Sequence, residues 1–145
     1  MKLTPLQAAI SLFKMFNFQL GGSLSLILQG YLKRKANDID IFVTPEVFDK
    51  MFKYFNARFM NIGEYGNVVS DPHHAQFYFC GIKVDMWDNT LDDQYTPYYI
   101  DNVAIPLRRA GKALKAKLLY CQSEGVLSKH KDDITILLAQ GIEPL

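Results

Sequence analysis

Cysteine is nearly absent from this chain: Cys80 and Cys121 are the only two. They have no metal-ligand spacing and no basic or histidine neighbour to activate a thiol, which excludes a disulfide-built scaffold and a cysteine metal site. A reduced, cytoplasmic setting is the expectation. An excess of charge is missing too, because 16 Lys and Arg face 15 Asp and Glu for a net +1. Composition therefore makes no case for nucleic acid or a membrane surface as partner. No apolar run reaches the length of a membrane span, and Met1–Leu20 lacks the apolar core and cleavage site of a signal peptide, so no membrane association is expected. Internal repeats and low-complexity tracts are also lacking.

The chain has 145 residues, about half of them hydrophobic, with ten Phe and eight Tyr. That is enough for one packed domain over 1–145 and argues against disorder.

The stretch Gln19–Val43 organises the rest. It holds a Gly21-Gly22-Ser23 turn, an apolar segment, the basic turn Lys33-Arg34-Lys35, and then Asp38-Ile39-Asp40-Ile41. On a strand over Asp38–Val43, Asp38 and Asp40 share one face while Ile39 and Ile41 point into the core. Two adjacent carboxylates repel unless a cation lies between them, and oxygen ligands of this kind suit Mg2+ or Mn2+. Gly21 and Gly22 allow a sharp turn and close approach of backbone to a ligand. Ser23 would open a helix running to Leu32, whose unpaired N–H groups favour phosphate. A phosphate cradle beside a carboxylate pair is what metal-assisted phosphoryl or nucleotidyl transfer needs.

The remaining elements frame that stretch. Thr4-Pro5 starts an amphipathic helix to about Phe16, and Phe18–Leu20 is a short strand. Thr44-Pro45-Glu46 starts another helix, with Val47, Met51, Tyr54 and Phe55 as its apolar stripe, ending near Phe59. From Asn67 to Asp88 the pattern is strand-like, with Gln76–Phe79 and Ile82–Trp87 around a Cys80-Gly81 hairpin turn. Tyr98–Asp101 and Val103–Ile105 are extended pieces around Asp101-Asn102. Pro106 precedes a basic helix, Leu107–Tyr120; after a loop at Ser123–Ser128, His130–Gln140 is the last helix, ended by Gly141. This order predicts an α+β (α/β mixed) architecture, one small mixed sheet flanked by helices.

Leu20-Gly21-Gly22-Ser23 followed by Asp38-Ile39-Asp40-Ile41 resembles the signature of the nucleotidyltransferase superfamily that includes DNA polymerase beta. It is similar to the small abortive-infection toxin-type branch and to the lincosamide nucleotidyltransferases. The resemblance implies the matching fold, an NTP substrate, and metal held by Asp38 and Asp40 with a third acid on a neighbouring strand. Asp85, between Val84 and Met86, matches that acid as metal ligand or general base, with Asp88 a weaker alternative. Arg34 stands near the place of the family's arginine, and Lys117, with Lys112 and Lys115 as competitors, near the place of its triphosphate lysine. Asp133-Ile134 matches the Asp-Ile of the family's closing helix and is taken as support for the fold.

Other features take plainer readings. Most basic residues of 107–120 are expected on a solvated face, and His73-His74 as two partly exposed loop residues. The expected activity is transfer of NMP from an NTP to a hydroxyl of RNA, protein or a small molecule. The alternative is a catalytically inactive nucleotide-binding or protein-interaction module of the same fold, paired with a partner protein.

Overall fold

The computed structural model describes residues 2–60, 73–88, 91–121 and 128–145. The expectations placed on 61–72 and 122–127 lie outside these residues. Helix α1 (Pro5–Phe13) begins with a reciprocal capping box between Thr4 and Gln7. Strand β1 (Gln19–Gly21) runs directly into α2 (Gly22–Leu28). Next come β2 (Ile39–Phe42), α3 (Pro45–Tyr54), β3 (Arg58–Phe59), β4 (His74–Phe79), β5 (Ile82–Trp87), β6 (Thr96–Ile100) and β7 (Val103–Leu107). Helices α4 (Ala110–Tyr120) and α5 (Ser128–Ala139) close the chain.

The strands form one mixed sheet in the order β3-β4-β5-β2-β1-β7-β6. The pairs β2/β5 and β1/β7 are parallel and the others antiparallel. One face is the core: Leu20, Ile39, Ile41, Val84, Met86 and Ala75 are completely buried there with Ala8, Ala9 and Leu12 of α1 and Met51 of α3. Each large side chain so buried stabilises by about 1.5–3 kcal/mol. A second cluster, Leu26, Leu32, Ala113, Leu114 and Leu137, joins α2, α4 and α5. These helices cover the other side of the central strands, and the Asp40 carboxylate of β2 points towards them.

Several boundaries differ from the sequence reading, each for a local reason. Helix α2 stops at Leu28, not Leu32, because Gly30 turns the chain at φ +85. Helix α3 ends at Tyr54: Asn56 takes φ +51, and Arg58–Phe59 pairs with β4 as a strand. Its buried residues are Phe48 and Met51, whereas Tyr54 is exposed. Pro106 does not open a helix; it lies in β7 opposite Pro97 of β6, and α4 begins only at Ala110. Both hairpin turns are as expected. Cys80-Gly81 and Asp101-Asn102 each have positive φ at both residues, the twist that two-residue hairpins require.

Asp92 fastens the start of β1 to the β7–α4 turn. It is fully buried, and its carboxylate accepts bonds from the Arg109 amide (3.1 Å), Arg109 Nε (3.0 Å) and Arg109 Nη2 (3.0 Å). Its main chain exchanges two bonds with the Gln19 side chain. Burial disfavours the carboxylate, but the Arg109 bonds outweigh it and lower the pKa to about 2. A depressed pKa contributes stability above the unfolded value of about 3.9 that is lost as pH falls through the folded one. Asp92→Asn should therefore cost about 2 kcal/mol at neutral pH. That gap should close as pH falls from about 4 to about 2. Urea melts of both proteins across this range test it, and a pH-independent gap would refute the assignment.

Candidate active site

The register of four strands lays the site out in rows on the face opposite the core. Asp40 of β2 pairs with Asp85 of β5, which pairs with Gln76 of β4, and Gly21 of β1 pairs with Asp40 on the other side. Below this row lie Gln19, Phe42, Trp87 and His74, joined the same way. Above it, Lys83 of β5 faces Tyr78 of β4, and Asp38 precedes β2. These rows line a cavity of about 340 Å³, whose opposite wall is Gly22, Ser23, Lys117, Tyr120 and His130.

The carboxylate row is crowded. Burial, then the Asp85 and Asp38 carboxylates, push the Asp40 carboxyl well above its usual range. No hydrogen-bond donor among the described residues reaches it. Asp85 is steadier: its Oδ1 accepts a bond from Gln76 Nε2 (3.1 Å) and pairs with His74 Nε2 at 2.9 Å. Lys83 Nζ stands 3.6 Å from Asp38 Oδ2. The ring row braces these groups. His74 stacks on Trp87 at 4.2 Å, Trp87 on Phe42 at 5.2 Å, and the Arg108 guanidinium lies 3.7 Å over Phe42.

The two glycines make room for this arrangement. A Cβ on Gly21 would stand 2.4 Å from Phe42 Cε2, and one on Gly22 would stand 2.0 Å from Asp40 Oδ2. Gly22 also has φ +60, which side-chain-bearing residues rarely adopt. The turn therefore accommodates the protein's own carboxylate and ring, beyond the close ligand approach expected of it.

Across the cavity, Arg34 Nη2 donates to Ser23 Oγ at 2.6 Å and Lys117 Nζ approaches the same oxygen at 3.4 Å. With both lone pairs so engaged, the Ser23 hydroxyl has its hydrogen left to donate outward. Both cations are tied to Asp133 of α5: Arg34 through Nε (3.0 Å) and Nη2 (2.6 Å), Lys117 through Nζ (3.1 Å). Two cations against one carboxylate leave a net positive charge beside Ser23. Because α2 has only seven residues, these side chains, more than a helix dipole, make this wall attractive to anions.

Of the eight residues expected in the site, Gly22, Ser23, Asp38, Asp40, Asp85 and Lys117 line this cavity, Gly21 pairs with Asp40 behind it, and Arg34 reaches it through Ser23. Lys117 is buried and turned inward, whereas Lys115 is exposed. Asp88 pairs with His73 and does not line the cavity. Three readings need correction. His74 is not a partly exposed loop residue but a buried strand residue bonded to Asp85. Arg108 and Arg109 are not on a solvated face; one is buried on Phe42 and the other clamps Asp92. Asp133, taken only as support for the fold, ties the two cations together.

Among the described residues, no three His, Cys, Asp or Glu side chains are gathered closely enough to hold a metal ion by themselves. Mg2+, however, usually takes one or two carboxylates and completes its shell with water and substrate phosphate. An all-oxygen donor set, with one carboxylate under strong repulsion, suits such an ion.

No protein-family model matches the sequence, and no curated protein does. Solved structures match the fold. A candidate nucleotidyltransferase from Thermotoga maritima aligns at TM-score 0.57 and 20% identity, covering 96% of this chain and 97% of that one. The antibiotic-resistance factor ANT(2″)-Ia in solution aligns at 0.57 and 15% identity, covering 93% and 79%. ANT(2″)-Ia in complex with adenylyl-2″-tobramycin gives 0.53 and 15% identity, covering 94% and 85%. The α+β fold, a mixed sheet flanked by helices, is the one these nucleotidyltransferase structures have.

Proposed function

We propose that this protein is a metal-dependent nucleotidyltransferase that moves NMP from an NTP to an acceptor hydroxyl. One observation carries the reading: Asp40 and Asp85, paired in register on parallel strands, share a cavity with the cationic Ser23–Arg34–Lys117 wall. The fold neighbours support it. Asp38, Asp40 and Asp85 would hold Mg2+ or Mn2+, which when bound offsets charge on the phosphate oxygens. Ser23, Arg34 and Lys117 bind and orient the triphosphate. Asp85, with one oxygen fixed by His74 and Gln76, takes the acceptor proton at the other. The acceptor oxygen then bonds to the α-phosphorus, the α–β bridge breaks, and pyrophosphate leaves with the bonding electrons.

The acceptor is RNA, a protein hydroxyl or a small molecule, the last being the kind bound in the ANT(2″)-Ia complex. A cytoplasmic location and a toxin-like role belong to the same proposal, and a partner protein to the alternative. The alternative, a module that binds nucleotide without turnover, has one observation in its favour, the lack of a three-ligand cluster among the described residues.

Pyrophosphate release from each NTP with Mg2+ or Mn2+ and RNA, protein or aminoglycoside acceptors separates the two. We expect release that falls roughly a hundredfold or more in Asp40→Asn. A raised pKa contributes stability only at low pH and loses it as pH rises through the folded value, so ionised Asp40 opposes folding at neutral pH. Asp40→Asn should accordingly melt no lower than wild type, which excludes misfolding as the cause of its inactivity. Nucleotide binding without release for any acceptor would favour the non-catalytic module.

A further inference from the structure

Strand alternation puts Lys83 on the face of β5 that carries Asp85, beside Asp40 of β2 and Asp38 just before it. The core side of β5 is supplied by Ile82, Val84 and Met86, so packing alone does not call for an ammonium at position 83. Lys83 Nζ lies 3.6 Å from Asp38 Oδ2, with its side chain 40% exposed and therefore free to leave. The ammonium therefore faces the carboxylates assigned to the metal.

We propose that Lys83 is a built-in counter-ion for these carboxylates and that it makes metal loading depend on nucleotide. The inference rests on the nucleotidyltransferase reading of the same cavity. A divalent ion arriving alone competes with Lys83 for Asp38 and leaves the displaced ammonium only water in exchange. An ion arriving with a triphosphate brings anionic oxygens that Lys83 can face instead. Metal alone is bound weakly, and metal with nucleotide tightly. By linkage, metal raises nucleotide affinity by the same factor.

The test measures Mn2+ binding from the electron-paramagnetic signal of the free ion, on the full chain, with and without an α,β-methylene NTP analogue. Lys83→Met keeps the apolar stem and removes the charge. It should bind Mn2+ alone about tenfold more tightly than wild type, with a much smaller difference when the analogue is present. Lys83→Arg should behave as wild type. Lys50→Met, an exposed charge on α3, should change nothing. Equal Mn2+ affinity in Lys83→Met and wild type would overturn the inference. So would a gain of the same size with and without the analogue, which would reflect net charge alone. If wild type and variants all fail to bind Mn2+ even with the analogue, the nucleotidyltransferase reading fails and this inference with it.

Discussion

Asp133→Ala should lower stability by about 3–5 kcal/mol, the usual cost of removing one member of a buried ion pair. Asp133 is 1% exposed and the Lys117 side chain 8%, so the substitution leaves an ammonium buried without its acid. Arg34 is 30% exposed, and solvent screening makes its limb the smaller share. Burial disfavours the Asp133 carboxylate, yet Arg34 and Lys117 outweigh it and hold its pKa below the usual range. Its contribution is therefore present above the unfolded pKa and lost in acid. For NTP binding the two simplest ideas predict opposite signs. Deleting a negative charge beside two cations should tighten triphosphate binding if charge alone matters. If Asp133 aims Arg34 and Lys117 at Ser23, affinity should fall despite the added positive charge, and we expect that fall. Melting curves and NTP titrations of Asp133→Ala and the gentler Asp133→Asn decide it; tighter binding, or an unchanged melt, would sink the clamp.

The sequence carried the centre of this site because its signals are local. Asp38 and Asp40 share a face by strand alternation, and Gly21-Gly22-Ser23 stands one short helix away. Asp85 could be suspected from Val84-Asp85-Met86, but its pairing with Asp40 depends on the parallel join of β2 and β5, which no local pattern encodes. His74 was misread because β4 begins two residues before the expected Gln76. A histidine in a short extended run looks exposed until β4 pairs with β5 and Trp87 covers it. Asp133 was hidden because the expected helix, starting at His130, puts it in the first turn, where the dipole accounts for an acid without any partner; α5 starts at Ser128, with no acid in its first turn. Pro106 misled because the same residue that starts helices also fits a strand near a sheet edge. For Asp85 and Asp133 the missing information was a contact between segments distant in sequence, and for His74 and Pro106 it was how far each hairpin strand extends.

Gly22→Val should abolish NTP turnover while Ser23→Ala only weakens it. Ser23→Ala removes a hydroxyl that accepts bonds from Arg34 and Lys117, but both cations keep Asp133. Loss of one such bond to a ligand costs about 0.5–1.5 kcal/mol, somewhat more if the ligand is charged, and the melt should barely move. Gly22 is different in kind. Its φ of +60 strains any side-chain-bearing residue, and its Cβ would stand 2.0 Å from Asp40 Oδ2, 2.7 Å from Cγ and 3.0 Å from Cβ. Backbone strain alone is worth roughly 1–3 kcal/mol. The contact must also push the Asp40 carboxylate out of its row, away from Asp85. The defect should therefore appear in metal and nucleotide binding together. Gly22→Ala in two backgrounds separates strain from clash: with Asp40→Ala the nearest contact is the Asp40 Cβ, so the cost should drop towards the strain alone. If Gly22→Ala costs as much stability beside Ala as beside Asp at position 40, the glycine is not there for the carboxylate. If Gly22→Val binds metal and NTP as wild type does, the turn is no part of the active site.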